Sequence, residues 1–246
     1  MQTSHLPESS ARPLTALITG ANRGLGFETA RLFLQQGHHV VLAGRDIEAL
    51  DRARHELDPS GEHTRTLVLD MACAASIAKV PDELAAAGIQ LDVLVNNAGI
   101  FPRDAEPVAG LRQALDTNVT GAVALTLALA EHLLRASQPR VVMVSSGLGS
   151  FARCAGVGAP LADSNFLAYQ TSKAALNMAT VCLAKQFAGT ALVITAISPG
   201  WCRTDMGGTD APRSAEEGAA VIYQAAKLPA GAQSGTFLGE DGVMPW

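Results

Sequence analysis

Short apolar runs of strand length alternate along this chain with longer stretches in which apolar residues recur at helical spacing. The first run, 14–18, leads into a glycine-rich loop and then into a segment with helical spacing at 27–34. A second apolar run follows at 39–43. These pieces predict strand, turn, helix and strand within about thirty residues. The alternation predicts an α/β domain built on a parallel sheet.

The same alternation continues beyond this first unit. Polar and apolar positions predict helices at 47–57, 73–87 and 121–130, the last of them buried, and strands at 66–70 and 91–95. We therefore predict one Rossmann-fold domain over residues 14–246, with a doubly wound parallel sheet of about seven strands and helices on both faces. Residues 1–13 are polar and are predicted to form a flexible N-terminal arm.

The loop between the first strand and the first helix predicts a phosphate-binding site. Gly20, Gly24 and Gly26 allow a sharp turn and a close approach of the backbone to a pyrophosphate, whose charge suits the free N–H groups at a helix start. Asn22, Arg23 and Leu25 complete the loop and are candidate cofactor contacts. The alternative is a tight turn without a ligand, and the strand, turn and helix context favours the cofactor.

The residues after the second strand indicate which dinucleotide binds. The chain reads Gly44-Arg45-Asp46 where an enzyme that uses NAD usually has an acidic residue for the ribose hydroxyls. Arg45 suits a 2′-phosphate instead, and Arg23 could reach the same phosphate. This favours NADPH over NADH, although each arginine could be a solvated surface residue. Asp46 could bind ribose or cap the next helix.

Two further strand ends carry candidate cofactor residues. Asp70 ends the predicted strand 66–70 and could bind an adenine amino group or cap the following helix. After the strand 91–95 comes Asn96-Asn97-Ala98-Gly99. Ala98 and Gly99 permit close backbone approach to a ligand, and the two amides can tie neighbouring strand ends together. We expect Asn96 to be mainly structural.

Tyr169 and Lys173 are the central candidates for chemistry. Their four-residue spacing puts both side chains on one face of a helix. A phenol has a pKa of about 10, and a neighbouring ammonium favours the phenolate, so the pKa of Tyr169 is expected to move towards the range useful for acid-base catalysis. Ser146 would polarise a carbonyl oxygen. An isolated pair of this kind is usually an ordinary helix pair, but its place after the other motifs favours catalysis.

These residues, in this order, resemble the short-chain dehydrogenase/reductase family. The similarity covers roughly residues 14 to 240 and includes the glycine loop, Asn96–Gly99, Asn118, the catalytic candidates and Ser198-Pro199-Gly200. Residues 199–206, 214–218 and 234–237 resemble the carbonyl reductase branch in particular.

The resemblance implies specific roles. Tyr169 would donate a proton, Lys173 would bind the nicotinamide ribose and lower the tyrosine pKa, and Ser146 would fix the substrate oxygen. Asn118 would hold a water in a proton relay, or satisfy backbone groups at a helix kink. Thr204 would contact the nicotinamide carboxamide, with Pro199 and Gly200 beneath the ring.

The segment 147–162 is longer than this family commonly shows and is rich in glycine and alanine. It is expected at the mouth of the active site, either as a wall of the substrate pocket or as a flexible excursion. Candidate pocket residues are Phe151, Leu161, Phe166 and Trp201. The short segment 207–212 leaves little room for a long lid, so we expect a shallow, open pocket.

The resulting functional prediction is an NADPH-dependent carbonyl reductase acting on a ketone or aldehyde. The alternatives are a secondary alcohol dehydrogenase that works oxidatively with NADP, and a non-catalytic NADP(H) sensor. A sensor needs no proton donor four residues before a lysine, which disfavours the last alternative.

Composition limits the other possibilities. The chain has 246 residues, 48% of them hydrophobic, and a formal net charge of -5 with a pI near 5.6, which gives no basic footprint for nucleic acid. No histidine spacing predicts a metal site, and no apolar stretch predicts a membrane span or signal peptide. The four cysteines lack paired spacing, so we expect reduced thiols in a cytoplasmic protein. The apolar helix after Lys173 favours a homodimer or homotetramer, with a monomer as the alternative.

Overall fold

The computed structural model describes residues 12–246. The predicted N-terminal arm therefore lies outside the described residues, apart from its last two. Of these, Arg12 forms an ion pair with Asp92, whose side chain is almost fully buried. Asp92 also accepts a hydrogen bond from the backbone N–H of Thr15. This contact ties the start of the described chain to the amino end of the first strand.

Eight strands in residues 12–246 form one sheet, in the order β3-β2-β1-β4-β5-β6-β7-β8. All neighbouring pairs are parallel except β7 and β8. The predicted parallel sheet is thus confirmed, with a two-residue antiparallel strand added at one edge. The strands are β1 Thr15–Thr19, β2 His39–Gly44, β3 Thr64–Val68, β4 Val93–Asn96, β5 Arg140–Val144, β6 Val193–Ile197, β7 Thr236–Gly239 and β8 Gly242–Val243.

Nine α-helices connect these strands within the described residues. They are α1 Gly24–Gln35, α2 Ile47–Leu57, α3 Ala74–Ala86, α4 Pro107–Leu115, α5 Gly121–Ala128, α6 Ala130–Leu134, α7 Phe151–Cys154, α8 Leu167–Gln186 and α9 Ala215–Ala226. A π-helical turn, Asp116–Thr120, joins α4 to α5, and a short 3-10 helix spans Gly147–Gly149. Helix α2 has the predicted bounds, whereas the predicted helix 121–130 is divided into α5 and α6.

Side chains of the central strands alternate between two apolar layers, one on each face of the sheet. In β1, Leu17 packs with Leu94 and Leu125 on one face. Ala16 and Ile18 pack on the opposite face. Strands that are apolar on both faces must be covered by helices on both faces. The predicted doubly wound architecture follows from this composition.

The strand order reverses between β1 and β4, since β2 and β3 lie on one side of β1 and β4 to β7 lie on the other. The loops that follow β1 and β4 diverge at this point and leave a crevice at the carboxyl edge of the sheet. Ile18 near the end of β1 is paired with Val95 near the end of β4. The glycine loop and Asn97 therefore emerge side by side.

Some wider features of the chain also bear on function. No helix in residues 12–246 is long and apolar enough to cross a membrane. The four cysteines have free thiols, as predicted. Cys202 is buried, and this burial is the main factor that raises its pKa. A buried thiol with a raised pKa is a weak nucleophile, so Cys202 is better suited to packing than to chemistry.

Candidate active site

A cavity of about 980 Å³ lies at the carboxyl edge of the sheet. Its walls come from the loops after β1, β2, β3, β4, β5 and β6 and from the start of α8. The cavity brings together most of the predicted site residues. Those that line it are Gly20, Asn22, Arg23, Gly24, Leu25, Arg45, Asp70, Asn97, Ala98, Gly99, Ser146, Leu161, Phe166, Tyr169, Lys173, Pro199, Gly200, Trp201 and Thr204.

The glycine loop has the backbone geometry that a phosphate-binding turn requires. Gly20 and Gly24 have φ values of +65° and +57°, in the region that favours glycine. A Cβ atom on Gly26 would collide with the carbonyl oxygen of Gly20 and lie 2.5 Å from Asn97 Nδ2. The N-cap residue of α1, Arg23, provides no side-chain cap, so the first N–H groups of α1 are not capped by it. These features fit a dinucleotide pyrophosphate.

The two asparagines after β4 hold the crevice in shape. Asn96 is buried and donates to Thr126 Oγ1 at 3.0 Å, which confirms its structural role. Asn97 donates from Nδ2 to the carbonyl oxygen of Thr19 at 2.8 Å. Thr19 Oγ1 in turn accepts from the backbone N–H of Ala98 at 2.9 Å. The ends of β1 and β4 are therefore joined on the cavity side, as predicted.

The two arginines predicted to select the cofactor have different environments. Arg23 forms an ion pair with Asp205 at 2.5 Å, and both side chains are 73% exposed. Arg45 is exposed at the end of β2, and no ion pair in residues 12–246 includes it. Asp46 accepts from the backbone N–H of Ala49 and caps α2, which is one of its two predicted roles. Arg45 is thus available to an anion at this end of the cavity.

Asp70 lines the cavity but does not cap α3. Its Oδ1 atom accepts from the backbone N–H of Ala72 at 3.0 Å, within the turn before the helix. The N-cap of α3 is Cys73, which makes no side-chain cap hydrogen bond. The capping alternative for Asp70 was therefore wrong, because the turn places the helix start three residues later. One carboxylate oxygen of Asp70 remains available to a donor in the cavity.

Tyr169, Lys173 and Ser146 meet at the centre of the cavity wall. Tyr169 and Lys173 are both in the first half of α8, one turn apart. The Lys173 Nζ atom lies 5.5 Å from the centroid of the Tyr169 ring and donates to the carbonyl oxygen of Val144 at 2.7 Å. Val144 ends β5, two residues before Ser146. The lysine therefore joins the helix that carries the phenol to the end of the strand that precedes the serine.

Burial has a larger effect on these ionisable groups than their mutual proximity. Desolvation raises the pKa of Tyr169 to about 12, and the nearby Ser146 hydroxyl partly opposes that rise. Desolvation also lowers the pKa of Lys173 to about 8. The expected fall of the Tyr169 pKa is therefore wrong for this arrangement, because desolvation of the buried phenol is the largest effect. At neutral pH the phenol keeps its proton.

Asn118 lies behind the cavity wall, in the π-helical turn between α4 and α5. It is buried and donates from Nδ2 to the Ile100 carbonyl at 3.0 Å and to Ser172 Oγ at 2.9 Å, while its Oδ1 accepts from the Ile100 N–H at 2.8 Å. A Cβ on Gly99 would be 3.3 Å from Asn118 Oδ1 and 3.6 Å from Lys173 Nζ. Asn118 thus satisfies backbone groups at a kink, and it stands close to the lysine.

The substrate end of the cavity is partly aromatic. Leu161, Phe166 and Trp201 line it, whereas Phe151 is 71% exposed and does not. Phe101 was not predicted as a site residue, yet it stacks on Tyr169 with the ring centroids 4.4 Å apart. Phe101 is two residues after Gly99, so its position next to a recognised motif was the available signal.

Two further arginines line this end and were also missed. Arg103 lies over the Phe101 ring and donates to the Met206 carbonyl at 2.8 Å. Arg153 is in α7, within the segment 147–162 that was expected at the mouth of the site. Its signal in the sequence was that it is the only basic residue in that segment.

The segment 147–162 forms part of the wall of the cavity. It begins with the 3-10 helix and continues into α7, and its Leu161 N–H donates to the Arg153 carbonyl at 2.8 Å. The end of the chain holds it from outside. Ser150 Oγ donates to the Pro245 carbonyl, and the Ala152 N–H donates to the Trp246 carbonyl. The alternative of a purely flexible excursion is thus disfavoured by these hydrogen bonds.

Comparison with known proteins shows the family to which this chain belongs. A model of the short chain dehydrogenase family matches residues 14–215, which is most of the chain. This protein belongs to the short-chain dehydrogenase/reductase family. A short-chain dehydrogenase of Penicillium roqueforti, anuI, is 36% identical over 228 residues, covering 87% of this chain and 88% of the relative. The family membership makes the chain an oxidoreductase.

Solved structures include similar carbonyl reductases. The NADPH-bound carbonyl reductase from chicken fatty liver is 28% identical with a TM-score of 0.83, and the match covers 96% of this chain and all of that one. The carbonyl reductase Sniffer of D. melanogaster is 31% identical with a TM-score of 0.81 and the same coverage. The predicted resemblance to carbonyl reductases is confirmed at this level.

Proposed function

We propose that this short-chain dehydrogenase/reductase is an NADPH-dependent carbonyl reductase that converts a ketone or aldehyde into an alcohol. The observation that supports it best is the meeting of Tyr169, Lys173 and Ser146 on the wall of a cavity whose other end is the glycine loop. A nicotinamide dinucleotide bound along this cavity would supply a hydride to the carbonyl carbon. The residues of the chain would bind the cofactor, orient the substrate and protonate the carbonyl oxygen.

Tyr169 is the proposed proton donor to the carbonyl oxygen. The phenol is protonated at neutral pH, as a proton donor in reduction requires, and burial raises its pKa further, to about 12. Ser146 lies beside it and would hold the substrate oxygen through a hydrogen bond. The alternative of an oxidative alcohol dehydrogenase needs the phenolate, which this environment disfavours.

Lys173 is the proposed ligand of the nicotinamide ribose, since its buried ammonium faces the cavity beside Tyr169. It also helps to position the two other catalytic residues through its hydrogen bond to Val144. Asn118 would support this group from behind through Ser172 and Ile100. Thr204, which lies against Gly24 of the glycine loop, would contact the carboxamide of the nicotinamide.

Preference for NADPH is proposed from the charges at the adenosine end. Arg45 is exposed and unpaired within residues 12–246, and a bidentate guanidinium suits a 2′-phosphate. Arg23 can join it, because an ion pair as exposed as Arg23 with Asp205 contributes little stability and can be exchanged. The similar carbonyl reductase from chicken fatty liver is bound to NADPH, which agrees with this proposal.

We also propose a cytoplasmic protein that acts on small carbonyl compounds in a shallow, open pocket. The segment 207–212 at the cavity rim is short, and Trp201 Nε1 donates a hydrogen bond to the Gly207 carbonyl within this rim.

We propose a homodimer or homotetramer, since two apolar side chains of α8, Leu167 and Met178, are 56% and 63% exposed.

The test of the proposed activity is oxidation of NADPH and of NADH with aldehydes, aryl ketones, ketoesters and diketones. We expect turnover with NADPH that Tyr169→Phe reduces by a factor of about 10² to 10⁴, while fluorescence titration shows that the variant still binds NADPH. Tight NADPH binding by the wild type with no turnover of any carbonyl or alcohol would favour the sensor alternative instead.

The cofactor preference is tested separately with Arg45→Ala. Loss of a charged contact to the 2′-phosphate is expected to raise the KM for NADPH about tenfold or more and to leave the KM for NADH nearly unchanged. Arg52→Ala is a matched control, because Arg52 is an exposed arginine on α2 outside the cavity wall. A wild-type preference for NADH would show that the two arginines had been misinterpreted.

A further inference from the structure

The substrate end of the cavity contains a cation without a described partner. Arg153 lines the cavity, and its Nε atom is buried without a hydrogen-bond partner among residues 12–246. No ion pair within the same residues includes Arg153. A buried donor of a charged group that lacks a partner carries a desolvation cost, which an acceptor from a ligand would remove.

The position of Arg153 is next to the reacting groups. A Cβ atom on Gly147 would lie 3.3 Å from Arg153 Nε and 3.7 Å from its Cδ atom. The Arg153 side chain therefore packs directly over the residue that follows Ser146. A substrate whose carbonyl oxygen is held by Ser146 and Tyr169 would present its adjacent substituent to this guanidinium.

The balance of charge at this end of the cavity is positive. The carboxylates that line the cavity, within the described residues, are Glu28, Asp70 and Asp205. Glu28 pairs with Arg31, and Asp205 pairs with Arg23. Asp70 follows β3 at the opposite, adenosine end. None of the three neutralises Arg153.

The backbone that carries Arg153 is held in place. The backbone N–H of Arg153 donates to Ser150 Oγ at 3.2 Å, and Ser150 Oγ donates to the Pro245 carbonyl at 2.8 Å. Trp246 stacks on Phe237 of β7 with the ring centroids 5.4 Å apart, which anchors the end of the chain to the sheet. Helix α7 is therefore fixed between the catalytic serine and the chain terminus. An unpaired arginine on a helix that is held in place is suited to specific recognition.

We propose that Arg153 is a specificity-determining residue that binds a carboxylate on the substrate, so that the preferred substrates are oxo acids. This inference deepens the proposed function, on which it rests, by naming a substrate class. A planar guanidinium forms two parallel hydrogen bonds with a carboxylate, and this match is better than with a neutral ester or amide. Arg103 is a poorer candidate, because it is already engaged by the Phe101 ring and the Met206 carbonyl.

The test compares each oxo acid with its own methyl ester. The probes are benzoylformate and 3-benzoylpropanoate, which differ in the distance between carbonyl and carboxylate, and the methyl ester of each. For Arg153→Met, we expect kcat/KM for the better acid to fall about tenfold to a hundredfold, mostly through KM, with the ester changed little. Arg153→Lys is expected to recover part of the loss.

Arg103→Met is the matched control, since it removes a cation from the same end of the cavity. It is expected to change acid and ester alike, because the Arg103 guanidinium packs on an aromatic ring. Rising salt is expected to raise the wild-type KM for the acid more than that for the ester. Circular dichroism and thermal unfolding confirm that each variant is folded before its kinetics are compared.

The outcomes separate this inference from the proposed function. If neutral ketones are reduced but Arg153→Met lowers kcat/KM equally for acid and ester, the carboxylate proposal is wrong and the reductase proposal stands. If no carbonyl is reduced, calorimetric titration of the acids into the protein saturated with NADP⁺ decides the inference directly. Binding of an acid that weakens about tenfold in Arg153→Met would support it, and equal binding by both proteins would overturn it.

Discussion

Lys173 allows a quantitative prediction, because its charged ammonium is buried and the burial of a charge lowers the free energy of unfolding. The residue is only 4% exposed, and burial lowers its pKa from 10.5 to about 8. At 1.36 kcal/mol per pKa unit, the folded state loses about 3 kcal/mol by keeping this ammonium charged below pH 8. Replacement by methionine removes the charge and retains an unbranched side chain of similar length.

The expected result for Lys173→Met is loss of activity with a gain in stability near neutral pH. The hydrogen bond to Val144 is lost, and an unsatisfied carbonyl costs about 1 kcal/mol or more. The net gain in the free energy of unfolding is therefore expected to be about 1 to 2 kcal/mol at pH 7. This result would show that Lys173 lowers the stability of the folded protein while it supports activity, as residues of active sites often do.

The dependence on pH isolates the charge itself. Because the pKa of Lys173 is lowered on folding, the unfolded chain binds more protons between pH 8 and 10.5, and stability from this group rises with pH in that window. Between about pH 7 and pH 9.5 the wild type should gain about 2 kcal/mol relative to Lys173→Met. Tyr169 is present in both proteins, and its raised pKa lowers stability only above about pH 10.

The assay is urea unfolding, followed by circular dichroism, at several pH values in this range. Lys185→Met is the matched control, since Lys185 is an exposed lysine on the same helix, and its curve should run parallel to that of the wild type. Parallel curves for the wild type and Lys173→Met would refute the reasoning, because they would mean that the buried lysine titrates as it does in the unfolded chain.

Three further predictions concern the loop, the chain terminus and assembly. Gly26→Ala is expected to abolish cofactor binding or to unfold the loop, since the new Cβ would collide with the Gly20 carbonyl. The measurement is a fluorescence titration with NADPH. Gly44→Ala is the control, because its Cβ would contact only Leu50, at an ordinary distance of 3.4 Å. Trp246→Ala should lower kcat with only a small change in the melting temperature, because it releases α7 from β7. An unchanged kcat would show that the stacking of Trp246 on Phe237 does not position the cavity wall. Light scattering should give two or four times the 25.5 kDa chain mass, whereas a monomer would contradict our proposal for α8.

The fold was largely predictable because the relevant signals are local. Apolar runs at 14–18 and 39–43 separated by one glycine loop require a strand, turn and helix unit, and helix α2 was predicted with its observed bounds. The short strand β8 was not predicted, since two residues contain no periodicity. Its pairing depends on the position of β7 across the turn. The division of the predicted helix 121–130 depends on packing and was likewise missed.

The sequence by itself determined the family, the order of the motifs and the identity of Tyr169, Lys173 and Ser146 as the proposed chemical groups, because each motif is read from adjacent or regularly spaced residues. Only the tertiary structure decided how those groups are solvated. The raised pKa of Tyr169 and the ion pair of Arg23 with Asp205 depend on residues distant in sequence. Tertiary packing also places Arg153 over Gly147, because the chain terminus holds α7 there. Desolvation and side-chain contact are properties of the folded surface, and no local pattern specifies them.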